Sequence, residues 1–253
     1  MRLDVYLVQV LNFESRHKAQ IEIKHNRIKV NGQVINKPSY TVTEDDVVEV
    51  LSAFNRFVGK GGLKLAYALD QFGMDVKDLH VLDVGASTGG FTDCLLQRGA
   101  KAVRTIDVGQ HQLHDDLKAD QRVEVFERKN FLSVDAGFFT GIDLTVMDVS
   151  FTSCVPLIEH LFRFLDKPLM VLFKPQFESL ETPRSGVIKH RRIHERTLKR
   201  FADKVHAMGL ALVKIVPSPI VGGSGNIEFL CLLEKGHKNC DFEGAIGEAY
   251  KAF

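Results

Sequence analysis

From residue 79 onward, short apolar runs alternate with longer amphipathic stretches. The runs lie near 79–84, 101–107, 122–127, 143–149, 168–174, 211–217 and 227–233, with helical segments between most of them. That alternation predicts a mostly parallel sheet with helices on both faces. Residues 1–52 follow a different pattern. Leu3, Val5, Leu7 and Leu11 fit a first helix loosely, and Ser15 is the expected N-cap of a second, running to about His25 with Ala19 and Ile23 inward. Ile28 and Val30 then alternate with basic residues up to Asn31-Gly32, the strongest short hairpin signal. Val34 continues beyond the turn, and a last strand over 47–50 follows the acidic turn at 44–46. The expected organisation is therefore a small α/β domain over 1–52, a linker over 53–60 and a larger α/β domain over 61–234. A polar tail over 235–253 is expected to pack poorly.

Composition narrows the class. A chain of 253 residues with 45% hydrophobic and 26% charged positions reads as an ordinary soluble globular protein. No apolar run approaches the ~18 residues of a spanning helix. The start, MRLDVYLVQVL, carries Asp4 within its only apolar stretch and has no small-residue cleavage site, so no signal peptide is expected. Cys94, Cys154, Cys231 and Cys240 are scattered without CxxC spacing, which predicts reduced thiols and a cytoplasmic location.

The net charge of +1 means that any affinity for nucleic acid must come from local patches. One lies between residues 16 and 37, where Arg16, Lys18, Lys24, Arg27, Lys29 and Lys37 face Glu22 alone. Charge by itself fits a solvated face as well as a phosphate-binding one.

The segment VLDVGASTGGFTD, residues 81–93, reads as strand, tight turn and helix. Its glycines let backbone N–H groups approach a ligand at a helix N-terminus. A dinucleotide fingerprint needs a second glycine where Ser87 stands, and a P-loop needs a lysine that is absent. Residues 85–89 formally match a GxSxG nucleophile elbow, with Asp148 and His194 following in hydrolase order. As the first strand of its sheet, however, it lacks the preceding strands a hydrolase requires. S-adenosylmethionine (SAM) fits better. Asp83, Gly85, Ser87, Gly89, Gly90 and Phe91 would surround its amino-acid part. Asp107, closing the second strand, would hold the ribose diol, and Asn130 would meet the adenine edge.

Lys64, Asp148, Lys174 and Glu228 stand at strand ends or a helix start, on the edge where α/β sheets place their chemistry. Singly, each could be a solvated surface charge. Together they suit methylation of a ribose 2′-hydroxyl, with Lys174 as general base. A lysine can act so only if its pKa falls from ~10.4 towards ~7–8, through burial or a neighbouring cation such as Lys64. Asp148 would orient the amine and Glu228 would position Lys64 or the ribose.

Two resemblances add to this reading. Arg2-Leu3-Asp4, Ser15-Arg16, Lys18-Ala19, Lys29-Val30-Asn31-Gly32 and Lys37-Pro38 resemble the RNA-binding module named after small-subunit ribosomal protein S-four. His25-Asn26 fill a place where that module often has glycine. The resemblance implies docking on structured RNA, with Arg2, Ser15, Arg16, Lys18, Lys24, Lys29, Asn31 and Lys60 as candidate contacts. GGLKL, DVGASTGGFTD, DVSF, KPQFE and the Gly225–Phe229 run, behind that module, resemble the TlyA family, whose catalytic domain is similar to FtsJ-type ribose methyltransferases. The implied fold is a class I SAM-dependent methyltransferase. It would have a Rossmann-like, seven-stranded, mostly parallel sheet and a small N-terminal α/β RNA-binding domain. The resemblance also implies catalysis by Lys64, Asp148, Lys174 and Glu228 on cytidine 2′-hydroxyls of ribosomal RNA, and a ribosomal subunit as partner.

There are departures. Gly59-Lys60 replace the family's usual Ser-Arg, which loses a bidentate guanidinium, and the segment after KPQFE is poorer in glycine. A second basic cluster strengthens the RNA expectation: Arg184, Lys189, Arg191, Arg192, Arg196, Lys199 and Arg200 face Glu195 alone. His190 and His194 sit at i, i+4 without a third ligand, so no metal is expected. The short N-terminus and the absence of a substantial C-terminal helix suggest the narrower, large-subunit specificity within the family. The competing readings are a membrane-active haemolysin, for which no amphipathic element of sufficient length is evident, and a non-catalytic ribosome-assembly factor.

Overall fold

The computed structural model describes residues 1–252 apart from 12, 14, 25, 26, 44, 51–56, 237–239 and 241, together with the side chain of Lys18. The His25-Asn26 substitution and the first half of the expected linker therefore lie outside the described residues. The chain divides into two compact units, residues 1–55 and 56–253.

In the first unit, α1 (Leu3–Gln9) and α2 (Arg16–Lys24) pack beside an antiparallel sheet of order β2-β1-β3, formed by β1 (Ile28–Val30), β2 (Gln33–Val34) and β3 (Val48–Val50). Leu3, Leu7, Ala19, Ile23 and Ile28 are fully buried in its core. Asn31 and Gly32 both take positive φ (51° and 78°), which a type I′ hairpin turn requires.

The second unit begins with α3 (Gly61–Phe72), β4 (His80–Val84), α4 (Gly90–Gln97), β5 (Ala102–Ile106), α5 (Asp115–Ala119) and β6 (Val123–Phe126). It continues through β7 (Leu144–Met147), α6 (Val155–Phe164), β8 (Leu169–Phe173), α7 (Pro175–Glu178), α8 (Arg191–Ala207), β9 (Leu210–Pro217), β10 (Phe229–Lys235) and α9 (Glu243–Ala252). The seven strands run in the order β6-β5-β4-β7-β8-β10-β9. Neighbours from β6 to β8 pair in parallel, and β10 is antiparallel to both β8 and β9. Every residue of β7 and β8 is buried, because helices cover both faces; that is why these strands read as unbroken apolar runs.

The chain leaves β4 towards β5 and β6, then returns to place β7 on the other side of β4. The strand order thus reverses between β4 and β7, and ligands of open α/β sheets bind beside the carboxyl ends at such a point.

Two expectations need correction. The tail does pack, and it forms the C-terminal helix that the sequence reading lacked: α9 lies on β9 and α8 and buries Ile246 and Ala249 completely. Its apolar residues are mostly alanines spaced among Glu243, Glu248 and Lys251, so the stretch reads as polar. The second half of the expected linker belongs to the second unit. Phe57 is buried in that core, and the Val58 N–H donates to Asp93 Oδ2 at 2.8 Å.

Candidate active site

At the switch point the ends of β4 and β7 meet. Asp148 N donates to Val84 O at 3.0 Å, and a Cβ on Gly85 would stand 2.7 Å from Asp148 O. With φ of 83° as well, position 85 requires glycine. The loop then turns through Ser87 (φ 49°) and Gly89 (φ 97°) into α4. A Cβ on Gly89 would overlap Leu117, and one on Gly90 would stand 3.0 Å from both Gly59 O and Gly62 N. The segment 57–60 is thus packed against the glycine loop. Phe91 is buried and supports the loop from within the core.

Asp107 and Asp83, both expected to hold cofactor, are placed differently. Asp107 is half-buried beyond β5; Ser87 N donates to its Oδ2 at 2.9 Å and Gly109 N to its Oδ1 at 2.7 Å. Each oxygen keeps acceptor capacity for a hydroxyl pair. Asp83 is fully buried and accepts from Thr92 Oγ1 at 2.6 Å, so it braces the loop from below rather than lining its open side. Burial pushes its carboxyl up to about 7, against the pull of the Thr92 bond. Asn130 is exposed and caps a 3-10 turn over 131–133, accepting from Leu132 N at 2.9 Å.

The four candidate catalytic residues form two ion pairs. Lys174 Nζ lies 2.6 Å from Asp148 Oδ1 and donates to Ser150 Oγ at 2.7 Å. Lys64 Nζ donates to Glu228 Oε2 at 2.5 Å. Lys64, Lys174 and Glu228 are all buried, which polar groups at strand ends seldom are unless paired. The two sets adjoin at the start of α3, where a Cβ on Gly61 would stand 3.6 Å from Asp148 Oδ2 and 3.1 Å from the Phe91 ring. Lys64 is therefore held by the Glu228 carboxylate.

Sequence reasoning missed several partners here. Ser150 and Gln176 stand inside the quoted DVSF and KPQFE runs, but nothing in spacing marked them. Gln176 Nε2 donates to Glu228 Oε1 at 3.2 Å. Asn226 ties the segment bearing Glu228 to the loop before α8, accepting from Ile188 N at 2.9 Å and donating to Gly186 O at 2.8 Å.

The basic patches are partly committed to the fold. In the first unit Asp4 is fully buried and receives Arg2 Nε and Arg16 Nη2, each at 2.9 Å, and Gln20 Nε2 at 2.8 Å. Arg2 foremost, then Gln20 and Arg16, hold its carboxyl well below the usual range despite burial. Half of each arginine side chain remains exposed (50% and 56%), so both can still face a partner. Asn31 is a turn residue, bonded to Asp46 Oδ1 at 2.6 Å and Val47 N at 2.9 Å. Ser15 directly precedes α2, Lys29 lies on β1, and Lys24 and Lys60 are exposed. In the second cluster Arg191 pairs with Glu195, Arg196 with Glu181 and Lys199 with Asp203. His194 is no surface ligand: it is buried, shares a 2.8 Å bond with Tyr250 Oη, and burial lowers its pKa to about 4.

Residues 57–235 match the FtsJ-like methyltransferase family and residues 1–48 the S4 domain family. YqxC of Bacillus subtilis strain 168, which bears an rRNA methyltransferase name, is 41% identical over 90% of this chain and 84% of its own. The chain belongs to the TlyA family of FtsJ-like methyltransferases. Another relative, the 16S/23S rRNA (cytidine-2′-O)-methyltransferase TlyA of Mycobacterium tuberculosis (strain H37Rv), is 34% identical over 92% of this chain and 89% of its own. A solved structure from Streptococcus thermophilus that bears a hemolysin name is 34% identical, covers 100% of this chain and 96% of its own, and superposes with a TM-score of 0.77. Hemolysin names thus recur among these relatives, yet no helix among the described residues is long and apolar enough to cross a membrane.

Proposed function

We propose that the protein transfers a methyl group from SAM to a ribose 2′-hydroxyl of ribosomal RNA, at a cytidine, with Lys174 as general base. The observation that carries this reading is the pairing of Lys174 Nζ with Asp148 and Ser150 at the sheet's switch point. A neutral amine has two N–H bonds and one lone pair. Ser150 Oγ takes one N–H bond and Asp148 Oδ1 lies 2.6 Å from the amine, an arrangement that can leave the lone pair for the proton of an incoming hydroxyl. Lys64, held by Glu228, brings positive charge towards the alkoxide that develops there.

The residues around the glycine loop suit SAM. Asp107 retains acceptor capacity for a ribose diol, and side chains at 85, 89 and 90 would fill or distort the loop. When bound, SAM supplies an electrophilic methyl carbon on a sulfonium; this chain's own residues align the hydroxyl and accept its proton.

The names of the relatives support ribosomal RNA as substrate, and the S4 match supports the first unit as the part that grips it. This reading implies the cytoplasm as the site of action. Lys174→Ala should bind SAM as the wild type does and transfer no methyl group to RNA. Normal transfer by that variant would remove Lys174 from its role.

A further inference from the structure

Gln176 stands at the second position of α7, two residues after Lys174, and touches the other lysine's partner. Its Nε2 donates to Glu228 Oε1 at 3.2 Å, while Lys64 holds Oε2 of the same carboxylate. Gly222 closes a third side, because a Cβ there would overlap Glu228 Oε1. The main-chain oxygen of Gln176 accepts from Thr182 Oγ1 at 3.0 Å, which anchors the residue's backbone.

The carboxylate decides which way the amide faces. Turned over, Gln176 Oε1 would meet a carboxylate oxygen with no proton between them. With Nε2 committed to Glu228, the Oε1 atom is buried and has no hydrogen-bond partner among the described residues. Buried acceptors are nearly always satisfied, so an amide that cannot turn and lacks a donor points to one that arrives with a ligand.

We propose that Gln176 is the positioning residue that fixes Glu228 for Lys64, and that its side-chain oxygen receives an N–H or O–H donor of the acceptor nucleotide. This rests on the ribose methyltransferase reading. The nucleotide is favoured over SAM by placement. Asp107 follows β5 and Gln176 follows β8, with β4 and β7 between them, a separation of three strand spacings or about 14 Å. Gln176 instead shares its turn with Lys174 and its carboxylate with Lys64.

The test compares wild type with Gln176→Met, which keeps the length but neither polar function, and with Gly222→Ala, which disturbs Glu228 from the opposite side. SAM binding is measured by calorimetry, and methyl transfer to ribosomal RNA as kcat, KM and their pH profiles. Thermal melts verify folding. Gln176→Met should bind SAM like the wild type, raise KM for RNA and lower kcat by about 10- to 100-fold. Both variants should displace the pH profile of kcat, because both disturb the carboxylate that holds Lys64. A wild-type profile and KM for Gln176→Met would overturn the proposal, as would a loss confined to SAM affinity. If Gln176→Met fails to fold, an undisplaced profile for Gly222→Ala overturns the positioning role. Absence of methyl transfer by the wild type would instead bring down the functional reading on which the proposal rests.

Discussion

Lys64 on α3 and Glu228 just before β10 are 164 positions apart in sequence, and their side chains meet at 2.5 Å in a buried ion pair. Removing one partner leaves the other charge buried and uncompensated, which is typically more costly than losing the pair. Glu228→Ala should therefore reduce methyl transfer strongly and also destabilise the second unit, by about 3 kcal/mol. Lys64→Met with Glu228→Gln should regain most of the stability and none of the activity. Chemical denaturation and transfer assays on the three variants measure both. Equal stability of single and double variants would contradict the pairing.

Asp107 binds two backbone N–H groups of the loops it joins, and it is the residue best placed for a ribose diol. Asp107→Ala should weaken SAM binding by about 10- to 100-fold, with little effect on RNA affinity. Calorimetry with SAM and a filter-binding assay with RNA separate the two. Unchanged SAM affinity would remove Asp107 from the cofactor site.

Burial raises the Asp83 carboxyl to about 7, above its ordinary range near 3.8. Between those values the folded state binds the extra proton and the unfolded state does not, so this group stabilises the fold as pH falls and ceases to do so above about 7. Asp83→Asn cannot ionise. Its stability relative to wild type should therefore be more favourable at pH 8 than at pH 5, as read by denaturant titrations. An equal difference at both pH values would contradict the raised carboxyl.

Asp4 has the opposite sign. Its carboxyl is lowered by Arg2, Gln20 and Arg16, so the stability it gives the first unit is present above the ordinary carboxylate range and is lost as pH falls below it. Asp4→Asn should lower the melting temperature of that unit by about 5–10 °C at pH 7 and only somewhat less at pH 3, because the loss begins near the ordinary carboxylate range and is complete only well below it. Hydrogen exchange on residues 1–50 of the full chain would follow the unit separately.

The sheet was legible because its central strands are buried on both faces and announce themselves as apolar runs. The hairpin was legible because Asn31-Gly32 names its own turn. Lys64, Asp148, Lys174 and Glu228 could be found as charges at strand ends and a helix start, with Asp148 and Glu228 expected beside the amines, but Ser150 and Gln176, which complete the two sets, could not. Gln176 reaches Glu228 because β10 enters antiparallel beside β8, and that topology leaves no mark near either residue. Asp83 looked like a ligand because it ends a strand, yet its side chain turns under the loop to Thr92. Segment 57–60 looked like a linker because Gly59 and Lys60 carry no apolar signal; it packs through the missing side chains of Gly59 and Gly90. Arg2 and Arg16 read as free cations because Asp4, which binds both, sits among apolar neighbours in the sequence.

The most direct measurement is a map of ribose methylation in unmodified ribosomal RNA or subunits incubated with SAM and either the wild-type protein or Lys174→Ala. Wild type should add a 2′-O-methyl group at one or a few defined cytidines, and Lys174→Ala, though still binding SAM, should add none. Methylation on a base, no new ribose methylation with wild type, or an unchanged map with Lys174→Ala would contradict a lysine-driven ribose methyltransferase.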